Sequence, residues 1–433
     1  MAMDGKELVE KLAKLSQVQS IKDIPQLTHA LFPGTHCPLM GAAMAVGGIK
    51  DSLIVVVGTD ECTYYTKSMT IHSEKFGGID GRCVSVVLDD HDVTFGSAEK
   101  VQEAFKEIIE EYRPQCVFLV TTCVIEIIGD DFDAISEGLS ELYGIPVLPV
   151  HTEHFKCEDH LPGLERTITV CAEMMKSCDS DNSVNLLGQR MGDFATTELY
   201  AMLQKAGVKI GLQLPCGCSV DDIKNAAAAK VNIVVNDIAL PLAQKMQEKF
   251  GIPYVYFNKF VIPEKIYEAY KNLFGYLELE LPGELEGLYQ NAREKIEKNK
   301  GELEGITYIY GNTPYAVFEM NCFLSSLGMV PQVIQTNRYT EADEPYAKEI
   351  LQYTDPYVCK AANIAPLQYV YDVLSPYLYL GHEFGNRLRQ KGIAIVHSDR
   401  ASGMLGFEVT GYLLKQLVKS VREAKEYRKE LGL

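Results

Sequence analysis

Tryptophan is absent from the 433 residues, and positive charge is scarce: 41 Lys and Arg stand against 59 Asp and Glu, a formal net charge of −18. Phosphate contacts need a basic footprint, so this balance argues against a nucleic-acid binder. No apolar run approaches the roughly 20 residues of a membrane-spanning helix, so no membrane association is expected. The opening MAMDGKELVEKLAKL has the period of an amphipathic helix and lacks the apolar core and cleavage site of a secretory leader. The expected location is therefore cytoplasmic. Low-complexity tracts and alignable repeats are missing, and a composition of 47% hydrophobic and 23% charged residues argues against bulk disorder.

What the chain does have is length and cysteine. At roughly 100–200 residues per domain, 433 residues imply two to four domains. Short β-rich runs alternate with helical periodicity, the pattern of α/β layers with parallel sheets. Three Rossmann-like α/β blocks are expected, over residues 1–181, 182–300 and 301–433. In the first, Leu53–Gly58, Val84–Asp89, Cys116–Thr122 and Pro146–Val150 read as strands, and Ser97–Arg113 as a helix with Ser97 as N-cap. In the second, Val184–Leu187, Val208–Leu212, Asn232–Val235 and Tyr254–Phe257 read as strands. Helices are expected there over Thr196–Ala206, Val220–Ala229 and Ala239–Phe250. A charged helix, Glu284–Lys300, leads to the third block. Its expected strands are Ile306–Tyr310, Val330–Gln335, Tyr377–Leu380 and Ile393–Val396, and its helices Pro314–Leu327, Glu383–Gln390 and Gly406–Tyr427.

Twelve cysteines in a chain expected to be cytosolic are better read as buried small hydrophobes or metal ligands than as disulfides. Three share a context. Cys62 lies four residues past a strand ending in Gly58, Cys123 lies at the carboxyl end of a strand, and Cys37 precedes a helix whose N-terminus favours a thiolate. Gly34, Gly41, Ala42, Gly58, Thr121, Thr122 and Gly129 around them are small enough for a bulky inorganic group to approach. The separations match no compact cysteine motif, so by chemistry alone buried structural cysteines and a shared metal site both stand. Cys216 and Cys218 form a C-x-C pair after a strand, readable as a plain turn or as a ligand contact. His151, Glu153, His154, Cys157, Glu158 and His160 crowd one post-strand loop, and histidines there suit proton delivery at neutral pH. Asp89, Asp90, His91 and Asp92 suit a helix N-terminus. Arg338, after a strand, could grip an anionic substrate or cofactor carboxylate.

The segments Cys37-Pro-Leu-Met-Gly-Ala, Gly58–Tyr65, Asp89–Val101 and Thr121–Asp131 resemble, in order and spacing, those of the component 1 proteins of nitrogenase and its relatives. The similarity is strongest over Thr35–Pro162. It implies a fold of three Rossmann-like blocks and an iron–sulfur cluster, 4Fe–4S or larger, held by Cys37, Cys62 and Cys123 and shared at a subunit interface. It also implies an ATP-hydrolysing iron protein as partner, because this chain has no G-x-x-x-x-G-K-[ST] loop of its own. A homodimer or an α2β2 assembly with a paralogous subunit is expected.

Catalytic chains of this family hold a large cofactor with one Cys and one His. Here Val235 or Asn236 stands at the first position and Leu405 near the second, and neither set suits iron. The expectation is therefore an iron–sulfur component 1 subunit of a nitrogenase-like reductase acting on a small unsaturated or tetrapyrrole-type substrate. His151 and His154 are its candidate catalytic residues, and Cys216, Cys218, Asn236 and Arg338 its candidate cavity. The alternative is a scaffold on which a nitrogenase-type metallocluster is assembled. A non-catalytic α/β protein with buried thiols is the third possibility.

Overall fold

The structure, a computed structural model, describes residues 4–27, 36–71, 82–157, 159–190, 192–311, 313, 315–360 and 364–433. Gly34, Thr35, Glu158 and Pro314, singled out above, lie outside the described residues. The chain folds into three α/β units with mainly parallel sheets, as the apolar runs imply.

In the first sheet the spatial order is Cys83–Val87, Ser52–Gly58, Cys116–Val120 and Val147–Val150, all parallel. Ser52–Gly58 (SLIVVVG) is buried at every position. Helices cover both faces of a parallel sheet, so its central strands read as continuous β-branched runs without alternation. The helix Ala98–Tyr112 buries Val101, Phe105 and Ile108 on one face. Ser97 takes the N-cap position but makes no capping bond. Its N–H and hydroxyl instead donate to Asp130 Oδ2 at 2.7 and 2.5 Å, which ties the helix start to a neighbouring loop.

The second sheet repeats the winding, in the order Tyr254–Tyr256, Val231–Val234, Val184–Gln189, Ile210–Pro215. Gly207 and Gly251 end two of its helices with φ of 72° and 73°, a conformation that favours glycine. The helix expected over Val220–Ala229 breaks: an α-helix runs Val220–Lys224 and a 3-10 turn Ala226–Ala228. Asn225 causes the break by donating from its side chain to the Asp221 carbonyl at 2.9 Å.

Five parallel strands of the third sheet run in the order Tyr357–Cys359, Val330–Gln335, Thr307–Tyr310, Leu378–Leu380, Ala394–Val396. Ala13–Lys14 adds an antiparallel edge by pairing with Tyr357 and Val358. Among the described residues the amphipathic opening is thus α-helical only over Gly5–Glu10, because strand pairing in the third unit outweighs the local helical period. A two-residue ladder, Ile49–Lys50 with Cys218–Ser219, links the first and second units. In sheets wound this way, ligands sit beyond the carboxyl ends of strands, where the winding reverses.

Candidate functional site

The winding of the first sheet reverses between Ser52–Gly58 and Cys116–Val120, and the chain leaving each of these strands carries a cysteine. Cys62 is in the first turn of helix Asp60–Ile71, and Cys123 opens helix Cys123–Ile128. Cys37 is the N-cap residue of helix Pro38–Gly47. Each is partly buried and none forms a disulfide. Cys37 and Cys123 lie near enough to Cys62 to act on it electrostatically. Burial pushes the Cys62 thiol up, a hydrogen bond with Thr59 pulls it down, and the nearby Cys123 and Cys37 push it up further. Cys37 also acts on Tyr65, whose hydroxyl lies 3.0 Å from His36 Nδ1.

Close approach of backbone fixes the position of Cys37. A Cβ at Gly41 would land on the His160 carbonyl, and one at Gly163 on the Pro38 carbonyl. The helices Pro38–Gly47 and Leu161–Val170 touch because both positions are glycine. Thiolates near one another repel, and a cationic iron–sulfur core relieves that repulsion. The donor set thus fits such a group, with the fourth position left to another chain or residue.

His151 is held between two carboxylates. Its Nδ1 lies 2.9 Å from Glu126 Oε1 and its Nε2 3.4 Å from Asp133 Oδ2. Glu126 also accepts from the Thr121 hydroxyl. Because Glu126 shares the helix of Cys123, His151 is one hydrogen bond away from the thiol-bearing element. His154 is exposed in the 3-10 turn His154–Lys156. Asp89 caps helix Asp90–Phe95 in a capping box with Asp92, and Lys100 bridges both carboxylates.

A second cluster forms where the carboxyl edges of all three sheets face one another. Arg338, beyond strand Val330–Gln335, lies 3.9 Å from Asp159 of the first unit and 3.7 Å from Asp237 of the second. Arg190, directly after Val184–Gln189, and Lys259, after Tyr254–Tyr256, belong to the same cluster. Burial, with Arg190, His36 and Arg338 adding to it against Asp159, pushes the His160 imidazole down to about 4. The C-x-C pair divides: Cys216 donates to the Arg190 carbonyl at 3.1 Å, whereas Cys218 lies in the core near Cys171. Asn236 accepts from the Ile238 N–H at 3.2 Å and so caps a turn. Val235 and Leu405 are fully buried in the core of the second unit. Arg190, Lys259 and Asp237 escape a reading of the sequence. The one available signal is a lone lysine inside the apolar run YVYFNKFVIP. A cleft of about 1060 Å³, between helices Phe132–Tyr143 and Leu240–Phe250, includes none of Cys37, Cys62, Cys123, Arg190 or Lys259 in its lining.

Comparison with known proteins bears on the family and the fold. A family profile described as nitrogenase component 1 type oxidoreductase matches residues 37–422. The nitrogenase iron-molybdenum cofactor biosynthesis protein NifE of Clostridium pasteurianum is 31% identical over 224 residues, 51% of this chain and 49% of that one. NifE of Rippkaea orientalis is 25% identical over 331 residues, 73% of this chain and 69% of that one. The nitrogenase molybdenum-iron protein alpha chain of Methanosarcina barkeri is 24% identical, covering 72% of this chain and 62% of its own length. The matched stretch thus spans about half to two thirds of these relatives. Among solved structures, "Nitrogenase Cp1 at pH 6.5" shares the fold with a TM-score of 0.77 at 14% identity, covering 93% of this chain and 95% of the other.

Proposed function

This chain belongs to the nitrogenase component 1 type oxidoreductase family, and from that premise we propose that it is an iron–sulfur subunit of a nitrogenase-like reductase. What supports the reading is that Cys62 and Cys123 follow the two strands at the winding reversal of the first sheet, with Cys37 near enough to act on Cys62 electrostatically. Iron–sulfur clusters supply one-electron transfer when bound to such thiolates. Tyr64, Phe95 and Ile127, on or beside the thiol-bearing helices, are 71%, 76% and 72% exposed. Apolar exposure of this kind around an incomplete ligand set suits coverage by a second copy or a paralogous subunit. Electrons would come from a separate ATP-hydrolysing iron protein. The substrate, a small unsaturated or tetrapyrrole-type molecule, would sit among Cys216, Asp237 and Arg338, with His151 and His154 as proton donors.

A scaffold for metallocluster assembly is the second reading, and the relatives named for cofactor biosynthesis favour it. The engaged Asn236 and the buried Val235 and Leu405 fit both readings, since neither position offers a firm iron ligand to the junction. ATP hydrolysis by an added iron protein separates them. Substrate-dependent hydrolysis with product formation supports the reductase. A stable precursor cluster on the isolated protein, with no turnover, supports the scaffold.

A further inference from the structure

Thr122 is 2% exposed, and its Oγ1 makes no hydrogen bond among the described residues. It is the N-cap residue of helix Cys123–Ile128, where a threonine hydroxyl ordinarily accepts from an N–H of the first turn, but no such bond forms here. The preceding Thr121 shows the contrast. Its hydroxyl donates to Glu126 and accepts the Thr152 N–H at 3.1 Å. A buried hydroxyl without a partner is costly, and valine would fill the same space without that cost. The place of the hydroxyl is fixed by Gly58, the last residue of the strand that leads to Cys62. A Cβ at Gly58 would lie 2.1 Å from Thr122 Oγ1, so only glycine lets the two approach. Thr59, the next residue, shares a hydrogen bond with Cys62, and Cys123 directly follows Thr122. The unmade hydroxyl thus stands where the segments carrying Cys62 and Cys123 touch.

We propose that Thr122 donates its hydroxyl hydrogen to a sulfur of the iron–sulfur cluster and so sets the cluster's reduction potential. This rests on the cluster reading above and adds a residue outside the three cysteines. A threonine hydroxyl carries one donor, and neutral thiols are weak acceptors for it. Cluster sulfurs bear negative charge and gain more of it on reduction. A hydrogen bond to them therefore stabilises the reduced state more than the oxidised one and raises the potential. The donor left over in the metal-free chain has its acceptor once the cluster is bound.

An EPR-monitored redox titration of the anaerobically reconstituted protein tests this, with Thr122→Val and Thr122→Ser beside wild type. Thr122→Val keeps the shape and removes the donor, whereas Thr122→Ser keeps the donor. Thr122→Val should hold as much iron as wild type. Its midpoint should fall by about a tenfold shift in the reduction equilibrium, which is about 59 mV for one electron. Thr122→Ser should stay nearer to wild type than to Thr122→Val. Iron-free Thr122→Val should melt no lower than iron-free wild type, because the hydroxyl has no partner to lose; this also shows that the variant folds. An unchanged midpoint in Thr122→Val, an equal shift in both variants, or a lower melting point for iron-free Thr122→Val would overturn the inference. Loss of iron from Thr122→Val would overturn it too, by making the oxygen a ligand rather than a donor. Iron in wild type keeps the two readings apart. Wild type that holds iron, with a Thr122→Val midpoint equal to it, sinks the donor alone. Reconstituted wild type without iron sinks the cluster, and the donor with it.

Discussion

Glu319, on helix Val317–Ser326, is 4% exposed and accepts the Val261 N–H at 3.4 Å. Burial pushes its carboxyl from 4.5 up to about 7, with Lys265 pulling the other way. Between those two values the folded protein holds a proton that the unfolded chain has lost, so this group makes stability fall as pH rises from about 4.5 to 7. Glu319→Gln keeps a neutral side chain at every pH. It should match wild type near pH 4.5 and exceed it by about 1–3 kcal/mol at pH 8. Denaturant unfolding at both pH values checks this, and a constant difference between the two proteins would refute it. The thiols follow the same logic with another outcome. Burial raises Cys62, and Cys123, Cys37 and Glu61 nearby raise it further, so metal binding must supply what ionising this thiol costs.

Two helices, Pro38–Gly47 and Leu161–Val170, decide where Cys37 stands, and they meet at Gly41 and Gly163. Gly163→Ala places a methyl on the Pro38 carbonyl beside Cys37. It should cost about 1–3 kcal/mol and reduce bound iron with it, read by thermal unfolding and iron assay. Gly138→Ala, in helix Phe132–Tyr143 with nothing within 4 Å of the new methyl, is the control. It should gain roughly 0.5–1 kcal/mol from helix propensity and leave iron unchanged. The buried central strands are legible in the sequence, because Ser52–Gly58 and Cys116–Val120 are continuous apolar runs. Ala13–Lys14 and Tyr357–Cys359 are not, since two or three residues carry no period and exist as strands only by pairing with each other and with the sheet. For the site, the chain can be seen to place Cys62 and Cys123 at strand ends. Their grouping with Cys37 is what the resemblance implies, not what the spacing shows. Arg190 and Lys259 stay hidden because their nearness is created by two parallel strands separated by a third.

At the scale of the molecule, three sheets direct their carboxyl edges toward one junction, while the thiol trio lies on the first unit beside exposed Tyr64, Phe95 and Ile127. That patch should be covered in solution. Light scattering coupled to size exclusion is expected to give an oligomer, alone or with a paralogous subunit. Phe95→Glu should dissociate it without lowering the thermal stability of the isolated chain, because the side chain is 76% exposed there. A wild type that stays monomeric in every combination would contradict the interface. The central claim, a cluster on Cys37, Cys62 and Cys123, is tested most directly by anaerobic iron and acid-labile sulfide content with EPR, on wild type and on Cys123→Ala. The account predicts iron and sulfide in wild type, and their loss in a Cys123→Ala protein that remains folded. Reconstituted wild type without iron, or a Cys123→Ala protein that keeps its full complement, would contradict it.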